Sequence, residues 1–395
     1  MSEGALAGLR VLDLSDRFAH YCGKLFADLG AEVILVEKPG EGTGLRRMPP
    51  FLDDIPGPDR GLPFLYLAAN RLSVALDLDT AEGQARFRDL ARGADLVIED
   101  AAPGTMARRG LDHAALAAIR PAIVTLSITP FGQTGPYARY AADDLTLIAL
   151  GGFLSMMGYP DEPPSAAWGE QAFAMGSMFG AVGAMLAVLH AEATGTGQQV
   201  DVAIQECAAM AMENAAQFWD LEGRVRRRFA GEQRHAGTGL FGCADGHIYL
   251  FAGGMAAARF WPNLVAWLAE ERVPGAEELQ GPDWSTTAFL DTPPAKRRFA
   301  EIFTPFAASR SKAWLYREGQ ARRVPLCPVA TSRDILESGQ LRARDFLVEA
   351  THPPSGRRFA VPGAPYRLSA TPWRLGRPAP SIGEHTAVLL AGASA

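Results

Sequence analysis

The sequence predicts an α/β protein built on a parallel sheet covered by helices, and three observations carry that expectation. Short runs rich in Val, Ile and Leu alternate with amphipathic helical segments through residue 128, and most helices are closed by Gly or Pro. The chain has 395 residues, enough for two domains or one large domain with an insertion. Its 48% hydrophobic and 21% charged residues are the balance of an ordinary globular chain.

The elements follow in order. Residues 9–14 form a strand, 21–29 a helix stopped by Gly30, and 32–37 a second strand with Val33, Ile34, Leu35 and Val36 in succession. Residues 73–78 lead as a strand into a helix over 81–92 and a strand over 94–99. A helix over 114–119 ends before Pro121, and 123–128 is another strand. Strands separated by helices imply right-handed crossovers and a parallel sheet. No GxGxxG follows the first strand, so the dinucleotide-binding fingerprint is missing.

Residues 172–189 are uncharged and contain Gly176-x-x-x-Gly180, which raises a membrane span. Its glycines, alanines and serine make it weakly apolar, and no Lys or Arg flanks it, so a buried, closely packed helix is expected. The texture changes at residue 224 with the basic run Arg224, Arg226, Arg227 and Arg228, read as a solvated face. A hairpin from Cys243 to Leu250 and Trp-containing helices follow. The expected division is 1–223 as the first part of a large domain, 224–324 as a smaller one, and 325–395 as an extended, Pro-rich return to the first.

A net charge of −6 excludes a general polyanion surface, so no nucleic acid is expected as a partner. Cys22, Cys207, Cys243 and Cys327 are scattered, without metal-ligand spacing, and read as thiols in a reducing cytoplasm. No metal is expected; His190, His235 and His247 also lack ligand spacing. The amino terminus has neither a basic nor an apolar leader segment, which fits a cytoplasmic protein without a membrane anchor.

Several motifs recur in a fixed order: Leu29-Gly30-Ala31-Glu32-Val33 with Val36-Glu37-Lys38-Pro39-Gly40, Asn70-Arg71 before residues 73–78, and residues 94–99 with Pro103-Gly104. Phe131-Gly132-Gln133-Thr134-Gly135-Pro136-Tyr137, Thr194-Gly195-Thr196-Gly197-Gln198 and Ile382-Gly383-Glu384-His385-Thr386 complete the set. This pattern resembles the family III CoA-transferases, the group of formyl-CoA transferase and carnitine CoA-transferase. The resemblance implies a Rossmann-like large domain built from both chain ends, an inserted smaller α+β domain, and an interlocked dimer. It also implies transfer of CoA from an acyl-CoA to a carboxylic acid through an aspartyl anhydride and an aspartyl thioester.

An ungapped match from the Thr-Gly-x-Gly-Gln run back to the family's nucleophilic Asp lands on Phe173. A phenyl ring cannot attack a thioester. Lys38, Leu76 and Arg108 match residues that line the nucleotide in the family. Asp79, Asp100, Ala101 and Ala141 depart from it: two family Lys residues become Asp79 and Ala141, and an Asn-Phe pair becomes Asp100-Ala101. Carboxylates beside phosphates would cost about 1 kcal/mol at ~4 Å in water and more near a protein surface. The loss of an aromatic at Ala101 removes stacking on the adenine.

Glu170 and Asp144 are the candidate substitute nucleophiles, and each also reads as a carboxylate at a helix start. Asp143-Asp144 reads either as an acid/base dyad or as a cap. Racemases of the superfamily carry a His at position 143 and an Asp near 172, whereas Asp143 and Ala172 stand here. Gly237 and Gly239 fall where relatives have a mobile glycine loop, and an ordinary turn accounts for them equally.

The joint losses point to a subunit without its own nucleophile, partnered by a homologous chain that carries the Asp. This resembles the two-subunit CoA-transferases of anaerobic aromatic degradation, of which succinyl-CoA:benzylsuccinate CoA-transferase is one. A CoA thioester is then substrate of the complex, with no covalently bound cofactor. A self-sufficient transferase using Glu170 or Asp144, an acyl-CoA racemase or lyase, and a non-catalytic acid-binding module remain as alternatives.

Overall fold

The computed structural model describes residues 4–228, 231, 233–254 and 257–393, without the side chains of 257, 258 and 393. The described residues divide into two compact units, one from Met1–Leu154, Ala167–Arg224 and Gly339–Ala395, the other from Ser155–Ala166 and Val225–Ser338.

The first unit opens with β1 (Arg10–Leu14), α1 (His20–Asp28) and β2 (Glu32–Glu37), followed by α2 (Leu62–Leu67), β3 (Leu72–Ala75), α3 (Ala81–Ala91) and β4 (Leu96–Glu99). After these come α4 (Thr105–Arg108), α5 (His113–Ala117), β5 (Val124–Thr129), α6 (Asp144–Leu150), α7 (Gln171–Thr194), β6 (Gln199–Ala203), α8 (Ile204–Met210) and α9 (Ala215–Glu222). The six-stranded sheet is parallel throughout in the order β3-β2-β1-β4-β5-β6. Leu12 of β1 stands between Ile34 of β2 and Val97 of β4.

The expected strand over 73–78 ends early because Asp77 turns the chain: its Oδ1 accepts from the Asp79 amide at 3.0 Å, and Thr80 caps α3 by accepting from the Gly83 amide at 3.1 Å. Sheet strands buried on both faces explain their continuous apolar runs. One face packs Val11, Val33, Ile98, Leu126 and Ile128 with α1 and α7; the other packs Leu12, Ile34, Val74 and Val97 with Phe87 and Leu90 of α3.

The 24 residues of α7 are long and apolar enough to cross a membrane by composition, yet its glycine stripe serves contacts inside this unit. A Cβ on Gly176 would lie 2.8 Å from Ile204 Cγ1, and one on Gly180 2.6 Å from Ile128 Cδ1. The G-x-x-x-G pattern lets α7 lie directly on β5 and α8. The C-terminal motif closes the β3 edge: Gly383 donates to Ser73 Oγ at 2.8 Å, and the Ala75 amide donates to Thr386 Oγ1 at 2.9 Å.

The second unit contains an antiparallel sheet of β7 (Thr238–Cys243), β8 (Gly246–Phe251) and β9 (Leu326–Pro328). Around it stand α10 (Ala257–Glu270), α11 (Thr287–Leu290), α12 (Pro293–Ala308) and α13 (Lys312–Ala321), with Trp261, Trp267, Phe299 and Phe303 at the core.

Candidate functional site

In a doubly wound sheet the strand order reverses between its first two halves, and ligands bind outside the strand ends at that point. Here the reversal lies between β1 and β4. The segment after β1, residues 15–19, and the segment after β4, beginning at Asp100, therefore border the candidate site, and α7 starts against the first of them.

Asp100 ties the two segments together. Its carboxylate accepts from the amides of Asp16 (2.9 Å), Arg17 (2.8 Å), Phe18 (2.6 Å) and Ala19 (3.3 Å). These amides form the kind of concave donor cluster that holds anions. Burial pushes the Asp100 carboxyl up to about 6, with the amide hydrogen bonds opposing the shift. Asp100 is thus folded under the loop, its carboxylate held by four amides. Its neighbour Glu99 is also buried and is pushed up to about 7 by desolvation.

Phe173 sits in the first turn of α7, 4% exposed. Its ring meets Phe18 edge to face at 5.0 Å, and the Arg17 guanidinium lies 4.9 Å from its centre. Arg17 also pairs with Glu170, the residue just before α7. Asp144 accepts from the Phe173 amide at 3.1 Å. It supplies the cap that Glu170 does not, since the Glu170 side chain makes no capping bond. Burial raises the Asp144 carboxyl and the α7 amides oppose it.

Asp143 is the N-cap of α6, accepting from Thr146 Oγ1 at 2.5 Å and from the Thr146 amide at 2.8 Å, and the hydroxyl bond first, then the amide bond, lowers its carboxyl. Both members of the Asp143-Asp144 pair thus cap helices, and they do so on different ones. A cavity of about 720 Å³ opens beside Phe173, lined by Arg17, Phe18, His20, Tyr21, Met48, Tyr66 and Glu170 among others.

The remaining sequence candidates fall elsewhere. Lys38 is exposed and pairs with Glu41 at 2.8 Å, the hydrogen bond to that carboxylate holding the ammonium above its ordinary range. Asp79 pairs with Arg109 at 2.7 Å, and this guanidinium lowers its carboxyl. The carboxylate at position 79 is therefore paired locally. Arg108 Nη2 donates to Thr105 Oγ1 at 2.9 Å, Leu76 is buried against the α3 side of the sheet, Ala101 is half-buried and Ala141 exposed.

Gly237, in the second unit, occupies the turn before β7 with φ +79, and a Cβ there would come within 2.7 Å of Trp261. Gly239 lies within β7, paired with Leu250. A turn and a strand account for both. His235 pairs with Asp291. Among the described residues no group of His, Cys, Asp and Glu is arranged to hold a metal ion.

Sequence reasoning missed Arg17, Phe18 and His20. No motif marks them, and only their place after the first strand signals a site. It also missed β6, whose alternating Gln199-Val200-Asp201-Val202 was the available signal.

The profile of CoA-transferase family III matches residues 6–386. The chain is 41% identical over 382 residues to the succinyl-CoA:(R)-benzylsuccinate CoA-transferase subunit BbsE of Thauera aromatica, covering 96% of this chain and 92% of the relative. It is 30% identical over 387 residues to the alpha subunit of succinyl-CoA–L-malate CoA-transferase of Chloroflexus aurantiacus, covering 96% of this chain and 87% of that one. Its fold matches the crystal structure of a CAIB/BAIF family protein from Brucella suis with a TM-score of 0.85 at 25% identity, over the full length of both chains. On a profile match that runs through both compact units, and on relatives aligned almost end to end, this chain belongs to CoA-transferase family III.

Proposed function

We propose that this chain is the partner subunit of a heteromeric CoA-transferase that moves CoA from an acyl-CoA donor to a carboxylic acid, and that it carries no nucleophile of its own. The observation that carries the reading is the first turn of α7. Phe173 fills the position expected for the acylated Asp, and its ring is held by Phe18 and Arg17. The nearby carboxylates have other tasks, Glu170 with Arg17 and Asp144 on the α7 amides.

A reduced CoA pocket fits this picture. Four amides after β1 are occupied by Asp100, Asp79 is spent on Arg109, and no aromatic stands at Ala101. Lys38, Leu76 and Arg108 are the residues left to contact a nucleotide. The similarity to chains named as subunits supports a homologous partner that carries the catalytic Asp.

The partner is taken to interlock with this chain as a dimer. Met178, Phe179, Val182, Leu186 and Leu189 leave an exposed apolar face on α7 of the kind that a partner covers. A cytoplasmic location and a CoA thioester as substrate of the complex complete the reading. Co-purification tests it: a tagged chain expressed with its neighbouring genes should retain a homologue bearing an Asp at the position of Phe173. Recovery of an active homo-oligomer would contradict it.

A further inference from the structure

We propose that a second cavity in the first unit, on the sheet face turned away from α7, binds a small neutral molecule carrying several hydroxyl groups, a property separate from the transferase reading. The cavity, about 250 Å³, is bordered by β4, β5 and β6 on one side and by α4, α5 and the loop after β5 on the other. Side chains alternate across a strand. Ile98, Leu126 and Ile128 pack towards α7, so Val97, Glu99, Thr125 and Ser127 project to the opposite side, where all four line this cavity. It shares no lining residue with the cavity beside Phe173, and Lys38, Leu76 and Arg108 do not line it.

The polarity of this sheet face is unusual. All six residues of β5 are buried, and a parallel strand covered on both faces is ordinarily a continuous apolar run. Here Val124, Leu126 and Ile128 alternate with Thr125, Ser127 and Thr129. The alternation continues on β6, whose Gln199 stands beside Thr125 and also lines the cavity. Asp201 of β6 accepts from the Gln133 amide at 3.0 Å, which ties the loop after β5 down and brings Gln133 to the wall. Gln199 is exposed, and Gln133 and His113 are half-buried, so accessible polar groups stand at the open side. No hydrogen bond among the described residues engages these three side chains.

The charges select the ligand class. No Lys or Arg lines the cavity, so an anion would lose its hydration and find no counter-charge. A cation gains little more. The Asp112 carboxylate is engaged by the Ala115 amide at 3.2 Å as the cap of α5. Burial pushes the Glu99 carboxyl up to about 7, with bonds from Ser127 and the Ala101 amide opposing, so near neutrality it is divided between acid and carboxylate. Hydroxyl groups donate and accept at once, which is what the amides and the imidazole of this wall can answer. Val97, Met106 and Leu111 leave an apolar side for the carbon chain that bears them.

Ligand-observed NMR on the full-length chain, with any homologue that co-purifies, tests this with erythritol as the probe. Erythritol should show saturable binding at pH 7, and 1-butanol and tartrate, which lack the extra hydroxyls or carry the wrong charge, should each bind about tenfold more weakly. Ala107→Phe, which places a ring at the cavity from the exposed side of α4, should weaken erythritol about tenfold. The double variant Gln133→Leu with Gln199→Leu, which removes both amides, should do the same and serves if the first does not fold.

No saturable binding of erythritol, equal binding in the folded variants, or tighter binding of tartrate or 1-butanol would overturn the proposal. The probe is neither a thioester nor an acid, so its failure leaves the partner-subunit reading, which turnover decides, untouched.

Discussion

The amide of Phe173 donates to the carboxylate of Asp144 at 3.1 Å, so an acid beside the nucleophile position is spent on holding the helix that carries the phenyl ring. Two features that look like rival sites in the sequence are in fact one structural unit, with α6 capping α7.

That relationship predicts the behaviour of Asp144 variants. Asp144→Ala removes a cap and should cost roughly 1–2 kcal/mol of stability in denaturant unfolding, while Asp144→Asn, which keeps an acceptor oxygen, should cost less. In the assembled complex neither should abolish CoA transfer. Loss of turnover in Asp144→Asn at unchanged stability would make it a reacting group after all.

Phe173 should behave as a packing residue. Phe173→Ala leaves the Phe18 ring and the Arg17 guanidinium without their partner and should lower stability by about 3 kcal/mol. Phe173→Asp should not create a transferase in the isolated chain, because a carboxylate alone restores neither the donors held by Asp100 nor an aromatic at Ala101. Stopped assays with acyl-CoA and a panel of acids would measure this directly.

Asp100 gives a pH signature. Its carboxyl lies near 6 in the fold, above the ordinary 3.8, so the folded chain holds the proton more tightly than the unfolded one. The stability it contributes is full below about pH 4 and is lost as pH rises towards 6, by roughly 3 kcal/mol. Asp100→Asn should flatten this part of the profile. Comparing the two chains at each pH isolates Asp100 from Glu99, and identical slopes would refute the assignment.

Much of the large unit was legible in the sequence because its strands are buried on both faces and its helices carry clear stops. Residues 32–37 and the stop at Gly30 are examples, and the glycine stripe of α7 marked a close approach, although the expected burial holds for that face of the helix and not for the face of Val182 and Leu186. The site was harder to read. The sequence identified Phe173 as anomalous, but the meaning of Asp100, Asp79 and Asp144 depended on partners 84, 30 and 29 residues away. Side-chain periodicity carries no information about such pairings. His20 was invisible for a similar reason, since a lone His after a strand signals nothing until its burial is known.

The edge closure by the C-terminal motif offers a separate check. Thr386→Val deletes the acceptor for the Ala75 amide and should cost about 1 kcal/mol. Faster hydrogen exchange confined to β3 would accompany it.

The most direct test of the account is turnover by this polypeptide purified free of any homologue. CoA transfer between an acyl-CoA and a carboxylic acid should be undetectable alone and appear when a homologous subunit bearing the Asp is added. Turnover by the lone chain, abolished by Glu170→Gln or Asp144→Asn at unchanged stability, would contradict it.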